Sequence, residues 1–151
     1  MSITHNYEVS LNWLSERKGI MTSPELKNSI EVATPPEFPK GMAGIWSPEH
    51  LFVAAISSCL MTTFLAIAEN SKLSFRNFSC AASGKLEMRD GKYSISEVTL
   101  FPVVTLFDDS EKEKAEKILQ KAEMNCLISN SVKSEIIFHP EVVVDEKKYS
   151  A

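Results

Sequence analysis

The chain has 151 residues, 44% of them hydrophobic, with 16 basic against 20 acidic side chains. That is enough to bury one core, and the absence of a basic block argues against nucleic acid as a partner. Three scattered cysteines with no Cys-x-x-Cys pair, and three isolated histidines, exclude a disulfide-stapled framework and the ligand spacing of a zinc site.

From the N-terminus, Met1 to Leu14 lacks a basic start followed by an apolar block, so no signal peptide is expected and the expected compartment is the cytoplasm. Tyr7, Val9, Leu11 and Trp13 alternate with polar neighbours and predict a half-buried strand, and Lys18-Gly19 turns the chain into a second one. Pairing of these two strands should stop at Thr34-Pro35-Pro36, because proline removes a ladder donor. The segment 37–46, with Pro39, Gly41 and Gly44, is expected as a loop.

A helix start follows. Ser47 can accept bonds from unpaired backbone N–H groups, Pro48 suits the first helical position, and Glu49 faces the positive end of the dipole. No residue from Leu51 to Ile67 is charged, so this helix should be apolar nearly all round and buried on most sides. A membrane span needs roughly 20 predominantly apolar residues. This run is a little short and holds Ser57, Ser58, Thr62 and Thr63 near its centre, so a core helix is expected and no membrane.

Next, Phe75 to Met88 and Tyr93 to Leu106 read as strands joined by the hairpin signal Asp90-Gly91, forming a meander. Ser110 and Glu113 have capping-box spacing and predict a second helix from Asp109-Ser110. Its buried stripe is Ala115, Ile118, Leu119, Ala122 and Cys126, while the Glu and Lys residues between Glu111 and Glu123 form a solvated face. Glu135 to Phe138 and Glu141 to Val144 make a final strand interrupted by His139-Pro140. Without repeats, low-complexity tracts or a linker, residues 1–151 are expected as a single α+β domain.

A cysteine on an apolar helix is ordinarily a small hydrophobe filling core. Cys59 and Cys126 lie on two different helices, both on faces expected to be buried, which also suits a redox pair of one reacting and one resolving thiol. Spacing alone does not bring them together. Cys80, in a strand, reads as packing.

Ser-Pro-Glu-His-Leu-Phe-x-Ala-Ala-x-x-Ser-Cys at 47–59 and Asn-Cys-Leu-Ile-Ser-Asn at 125–130 resemble the OsmC/Ohr family of hydroperoxide-reducing proteins. The element order fits that family over nearly the whole chain. The resemblance implies an OsmC-like fold, antiparallel sheets packed on a long central helix and a second helix, built as an intertwined homodimer. It further implies a thiol peroxidase acting on organic hydroperoxides, with Cys59 peroxidatic and Cys126 resolving. The reductant would be an external dithiol or a lipoylated protein, with no metal or bound organic cofactor. One departure is that the family often carries Pro directly after the second cysteine, where this chain has Leu127.

The attacking species must be thiolate, whereas burial in an apolar helix raises a thiol pKa. By resemblance the activating cation is Arg17, with neighbouring Lys18 as its rival, and Glu49 is the acid that orients it. Glu49 and Cys59 are ten positions apart, about 15 Å along a helix axis, so a second subunit is the easiest source of an acid acting at the same site. The plainer roles are an exposed turn charge for Arg17, a dipole contact for Glu49 and a helix-surface position for His50. Trp13, Phe38, Trp46, Phe52 and Phe64 read as core before they read as a substrate pocket. The alternative function is a non-catalytic module with the same fold that binds a small hydrophobic ligand. A second cysteine at the matching place favours the enzyme.

Overall fold

A computed structural model describes residues 2–145. The chain divides into two compact units, Met1–Leu51 and Phe52–Ala151.

In the first unit, β1 (Ser10–Ser15), β2 (Lys18–Thr22) and β3 (Ile30–Ala33) form an antiparallel sheet in that order. Three strands stand where two were expected. Ser23-Pro24 ends β2, because proline cannot donate to the ladder, and the N–H groups of Glu25 and Leu26 fold back onto the Ser23 hydroxyl and carbonyl. The turn into β2 is Glu16-Arg17, with Glu16 at φ +47°. The expected half-burial of the first strand is also corrected. Tyr7 and Val9 precede β1, every residue of β1 is exposed, and Trp13 keeps 75% of its surface. Alternation specifies two faces but cannot supply the layer that covers one of them.

Residues 34–46 form the expected loop. The Gly41 and Met42 N–H groups donate to the Phe38 and Thr34 carbonyls, both at 2.9 Å. A side chain at Gly41 would stand 1.9 Å from the Pro35 carbonyl oxygen, so the turn admits only glycine. The loop then returns to β3, where the Ala33 N–H donates to the Trp46 carbonyl, and Ser47 follows as the helix cap.

Helix α1 spans Pro48–Asn70, so the boundary between the units falls inside its first turn. Ser47 Oγ accepts from the His50 N–H at 3.0 Å, as its sequence position predicts. By length and composition α1 could cross a membrane. Ile56, Leu60, Phe64 and Ala68, each four residues from the last, form a fully buried stripe in the core of the second unit, while Met61 and Leu65 are exposed, so one stripe of the helix is buried rather than most sides of it.

That unit pairs β4 (Asn77–Arg89) with β5 (Lys92–Leu106) through Asp90-Gly91. Both turn residues have positive φ, 53° and 78°, as a two-residue hairpin demands. A 3₁₀ turn (Asp109–Glu111) leads into α2 (Lys112–Met124), then β6 (Glu135–Phe138) and β7 (Glu141–Val144). The expected capping box does not form. Ser110 lies inside the 3₁₀ turn, and Asp108 caps it by accepting the Ser110 N–H at 2.9 Å. The final strand is two strands, both parallel to β5, with the His139 N–H donating to the Leu100 carbonyl between them. The α2 crossover returns the chain in the direction of β5, so the sheet is mixed rather than a pure antiparallel meander.

The core of this unit lies between α1, β5 and the stripe of α2. Ala115, Ile118, Leu119, Ala122 and Cys126 are all buried, as their spacing predicts. Phe64 meets Phe75 edge-on and stacks on Phe78, with ring centroids 5.3 and 4.9 Å away.

Candidate active site

Cys59 sits on α1 beside the buried stripe, half-buried, with Thr63 one turn further on and its hydroxyl 3.9 Å from the sulfur. The neighbouring hydroxyls serve the helix itself. Ser57, Ser58 and Thr62 donate to the carbonyls of Ala54, Ala55 and Cys59, which is how an apolar helix tolerates a polar cluster at its middle.

Cys126 follows α2 directly after Asn125 and is 1% exposed. Its sulfur lies 4.0 Å from the Ile56 carbonyl on α1. The turn after it is compact, because the Asn130 N–H donates to the Cys126 carbonyl at 3.0 Å and the Ser131 N–H to the Ile128 carbonyl at 2.9 Å.

The two thiols influence each other's acidity, and both are free. Burial pushes the Cys59 thiol up, but the Ile128 N–H, the Cys126 thiol, the Thr63 hydroxyl and the Leu127 N–H together outweigh it, so its pKa lies below that of an ordinary thiol. These groups are uncharged donors. Burial raises Cys126, and the Ser129 hydroxyl and N–H only partly offset it, while Cys59 adds to the rise. Cys80, on β4, is raised by burial against a weaker opposing contact from the Phe101 backbone, consistent with a packing role.

Arg17, Lys18 and Glu49 belong to the first unit. Arg17 is exposed on the β1–β2 turn and lines a cleft of about 380 Å³ with Leu11, Trp13, Lys18, Val32 and Pro48. Lys18 Nζ lies 3.8 Å from a Glu31 carboxylate oxygen, whereas Arg17 has no ion pair among the described residues. One carboxylate oxygen of Glu49, Oε1, is buried without a hydrogen-bond partner. His50 is an exposed helix residue whose Nδ1 contacts the Ser47 hydroxyl at 2.7 Å.

Of the five aromatic residues expected as core, Phe64 is fully buried and Phe52 packs partly against the core. Trp13 and Trp46 are exposed instead, at 75% and 53%. Among the described residues no three His, Cys, Asp or Glu side chains cluster as a metal site would require.

Sequence reasoning missed four groups at the thiols. Thr63 was findable, since it stands four residues after Cys59 on one helix face, and Ser129 stands three after Cys126. The N–H groups of Leu127 and Ile128 carry no residue-type signal at all.

A family model described as OsmC-like protein matches residues 41–141. YmaD of Bacillus subtilis, an uncharacterised protein, is 25% identical over 148 residues, covering 93% of this chain and 95% of its own length. The structure of an OsmC-like protein of unknown function from Vibrio cholerae superposes with a TM-score of 0.80 at 25% identity, over 91% of this chain and 99% of that one. An organic hydroperoxide resistance protein OsmC from Legionella pneumophila superposes with a TM-score of 0.74 at 22% identity, over 95% and 100%, a likeness of fold. The matched residues take in α1, the long hairpin and α2 together with both cysteines, and this chain belongs to the OsmC-like protein family.

Proposed function

We propose that the protein is a thiol peroxidase that reduces organic hydroperoxides to alcohols. The observation that carries this is the pair Cys59 and Cys126, with the Cys126 sulfur 4.0 Å from the Ile56 carbonyl on the helix that bears Cys59, one thiol lowered in pKa and the other raised. An attacking sulfur must be thiolate, while its partner should stay protonated until needed.

The Cys59 thiolate attacks the outer peroxide oxygen, the O–O bond breaks, and the alkoxide takes a proton to leave as alcohol. Cys59 is now a sulfenic acid. The Cys126 sulfur displaces its hydroxyl, which leaves as water, and a disulfide forms. An external dithiol, free or as a lipoyl group on a protein, returns both cysteines to thiols and becomes a disulfide itself.

In this reading Arg17 supplies positive charge to the reacting centre and Glu49 orients it, the buried unpaired oxygen of Glu49 being the feature that asks for a cationic partner. Leu11, Trp13, Met61 and Leu65 stay exposed in the single chain, and apolar surface of that kind supports a homodimer.

The test is peroxide consumption with cumene hydroperoxide and dithiothreitol. Wild type should turn over, and Cys59→Ser should be inactive. Intact mass after one equivalent of peroxide should show the loss of two hydrogens, absent in Cys126→Ser. A wild type no faster than Cys59→Ser would leave the ligand-binding module as the function.

A further inference from the structure

The start of α1 is held by a pair of side chains that the proposed chemistry leaves unused. Ser47 is fully buried, and its Oγ accepts from the His50 N–H at 3.0 Å while lying 2.7 Å from His50 Nδ1. Among the described residues that oxygen has no other partner. A hydroxyl has one proton to give and two lone pairs. Were the ring proton on Nδ1, Ser47 would accept twice and its own proton would be buried with no acceptor. The Ser47 hydroxyl therefore donates to Nδ1, and the neutral ring carries its proton on Nε2.

This clasp is supported on both sides. Before it, the Trp46 carbonyl accepts from the Ala33 N–H at 2.9 Å, and the Trp46 ring stands edge-on to His50 with centroids 6.2 Å apart. After it, the Leu51 N–H donates to the Ser47 carbonyl at 2.9 Å. Between the two clasped residues lies Glu49, whose Oε1 is buried without a hydrogen-bond partner. A carboxylate oxygen held out of water with no partner is costly, and it stays there only if the backbone beneath it is fixed.

We infer that His50 is a positioning residue: by accepting the Ser47 proton at Nδ1 it closes the first turn of α1 around Glu49 and keeps that carboxylate in place for its cation. A capping serine ordinarily fixes a backbone N–H alone, whereas here a second bond ties its proton to the side chain of the third helical residue. This role rests on the proposed reading of Glu49 as the acid that orients Arg17, and it names the group that orients Glu49 in turn.

The experiment compares His50→Phe, which keeps a ring and loses the acceptor, with His50→Asn, whose carboxamide oxygen can accept the same proton. With cumene hydroperoxide and dithiothreitol, His50→Phe should lose roughly three- to tenfold in kcat/KM, and His50→Asn should recover most of that loss. In a Glu49→Gln background His50→Phe should cost nothing further, because His50 acts through Glu49. An equal loss in the two backgrounds overturns the inference.

Two readouts need no peroxide. At mildly alkaline pH, where an imidazole is neutral, nitrogen-15 spectra of the unsubstituted chain should show His50 protonated on Nε2, and a proton on Nδ1 overturns the inference. The carboxyl carbon resonance of Glu49 should move in His50→Phe and return in His50→Asn, and a resonance that ignores the loss of the acceptor overturns it as well. A chain inert toward peroxide would sink the peroxidase reading, while the spectra still decide whether His50 holds Glu49.

Discussion

The Cys126 sulfur lies 4.0 Å from the carbonyl of Ile56, three residues before Cys59 on α1, and the two thiols move each other's acidity in opposite directions, lowering Cys59 and raising Cys126. Brief exposure to iodoacetamide near neutral pH, read by peptide mass spectrometry, should therefore label Cys59 first. Cys126 and the raised, half-buried Cys80 should lag. Labelling of Cys126 as fast as Cys59 would contradict the assignment.

The same shifts act on stability with opposite signs. For Cys59, whose folded pKa is depressed, the contribution is present above the unfolded-chain value and fades as pH falls through the folded one. For Cys126, raised on folding, it is present below the unfolded-chain value and fades as pH rises through the folded one. Denaturation in alkaline buffer should show Cys126→Ala losing less stability than wild type as pH increases.

Ser129→Ala separates a structural role from a positioning one. The buried Ser129 hydroxyl makes no hydrogen bond of standard geometry, so its contact with Cys126 is loose, and removing it should change stability by less than about 1 kcal/mol. The Cys126 thiol would then be still harder to ionise, and the Cys59 sulfenic acid should persist several times longer before the disulfide closes. Dimedone trapping over time measures that lifetime. An unchanged lifetime would assign the hydroxyl to packing alone.

Phe64 is fully buried between Phe75 and Phe78, and its truncation empties the space where α1 meets β4. Phe64→Ala should lower unfolding free energy by about 3–5 kcal/mol in a denaturant titration. A loss below about 1 kcal/mol would mean that this cluster is not the core of the unit.

Gly84 on β4 and Val53 on α1 set how closely the helix approaches the sheet. A methyl group at Gly84 would stand 2.6 Å from Val53 Cγ2. Gly84→Ala should destabilise by about 1–3 kcal/mol, and in a Val53→Ala background the same change should cost clearly less. Equal costs in the two backgrounds would show that the helix yields without strain.

Local chemistry was legible. The cap at Ser47, the Asp90-Gly91 hairpin and the Ala115–Cys126 stripe follow from turn geometry and from periodicity, which are properties of neighbouring residues. The third strand of the first unit was missed because a polar segment, Ser23 to Asn28, masks a turn. The parallel direction of β6 and β7 was missed because it depends on where the α2 crossover returns.

At the candidate site, residue type and helix periodicity marked Cys59 and Cys126 as two thiols on buried faces. Only the folded chain decided that Cys126 packs against the helix of Cys59, because that contact joins α1 to the turn after α2 across the whole β4–β5 hairpin. Sequence reasoning looked for a cation to lower Cys59, since charge is what a side chain announces. The donors that the tertiary structure adds are the N–H groups of Leu127 and Ile128, which every residue but proline carries. Their effect on Cys59 exists only once the chain is folded.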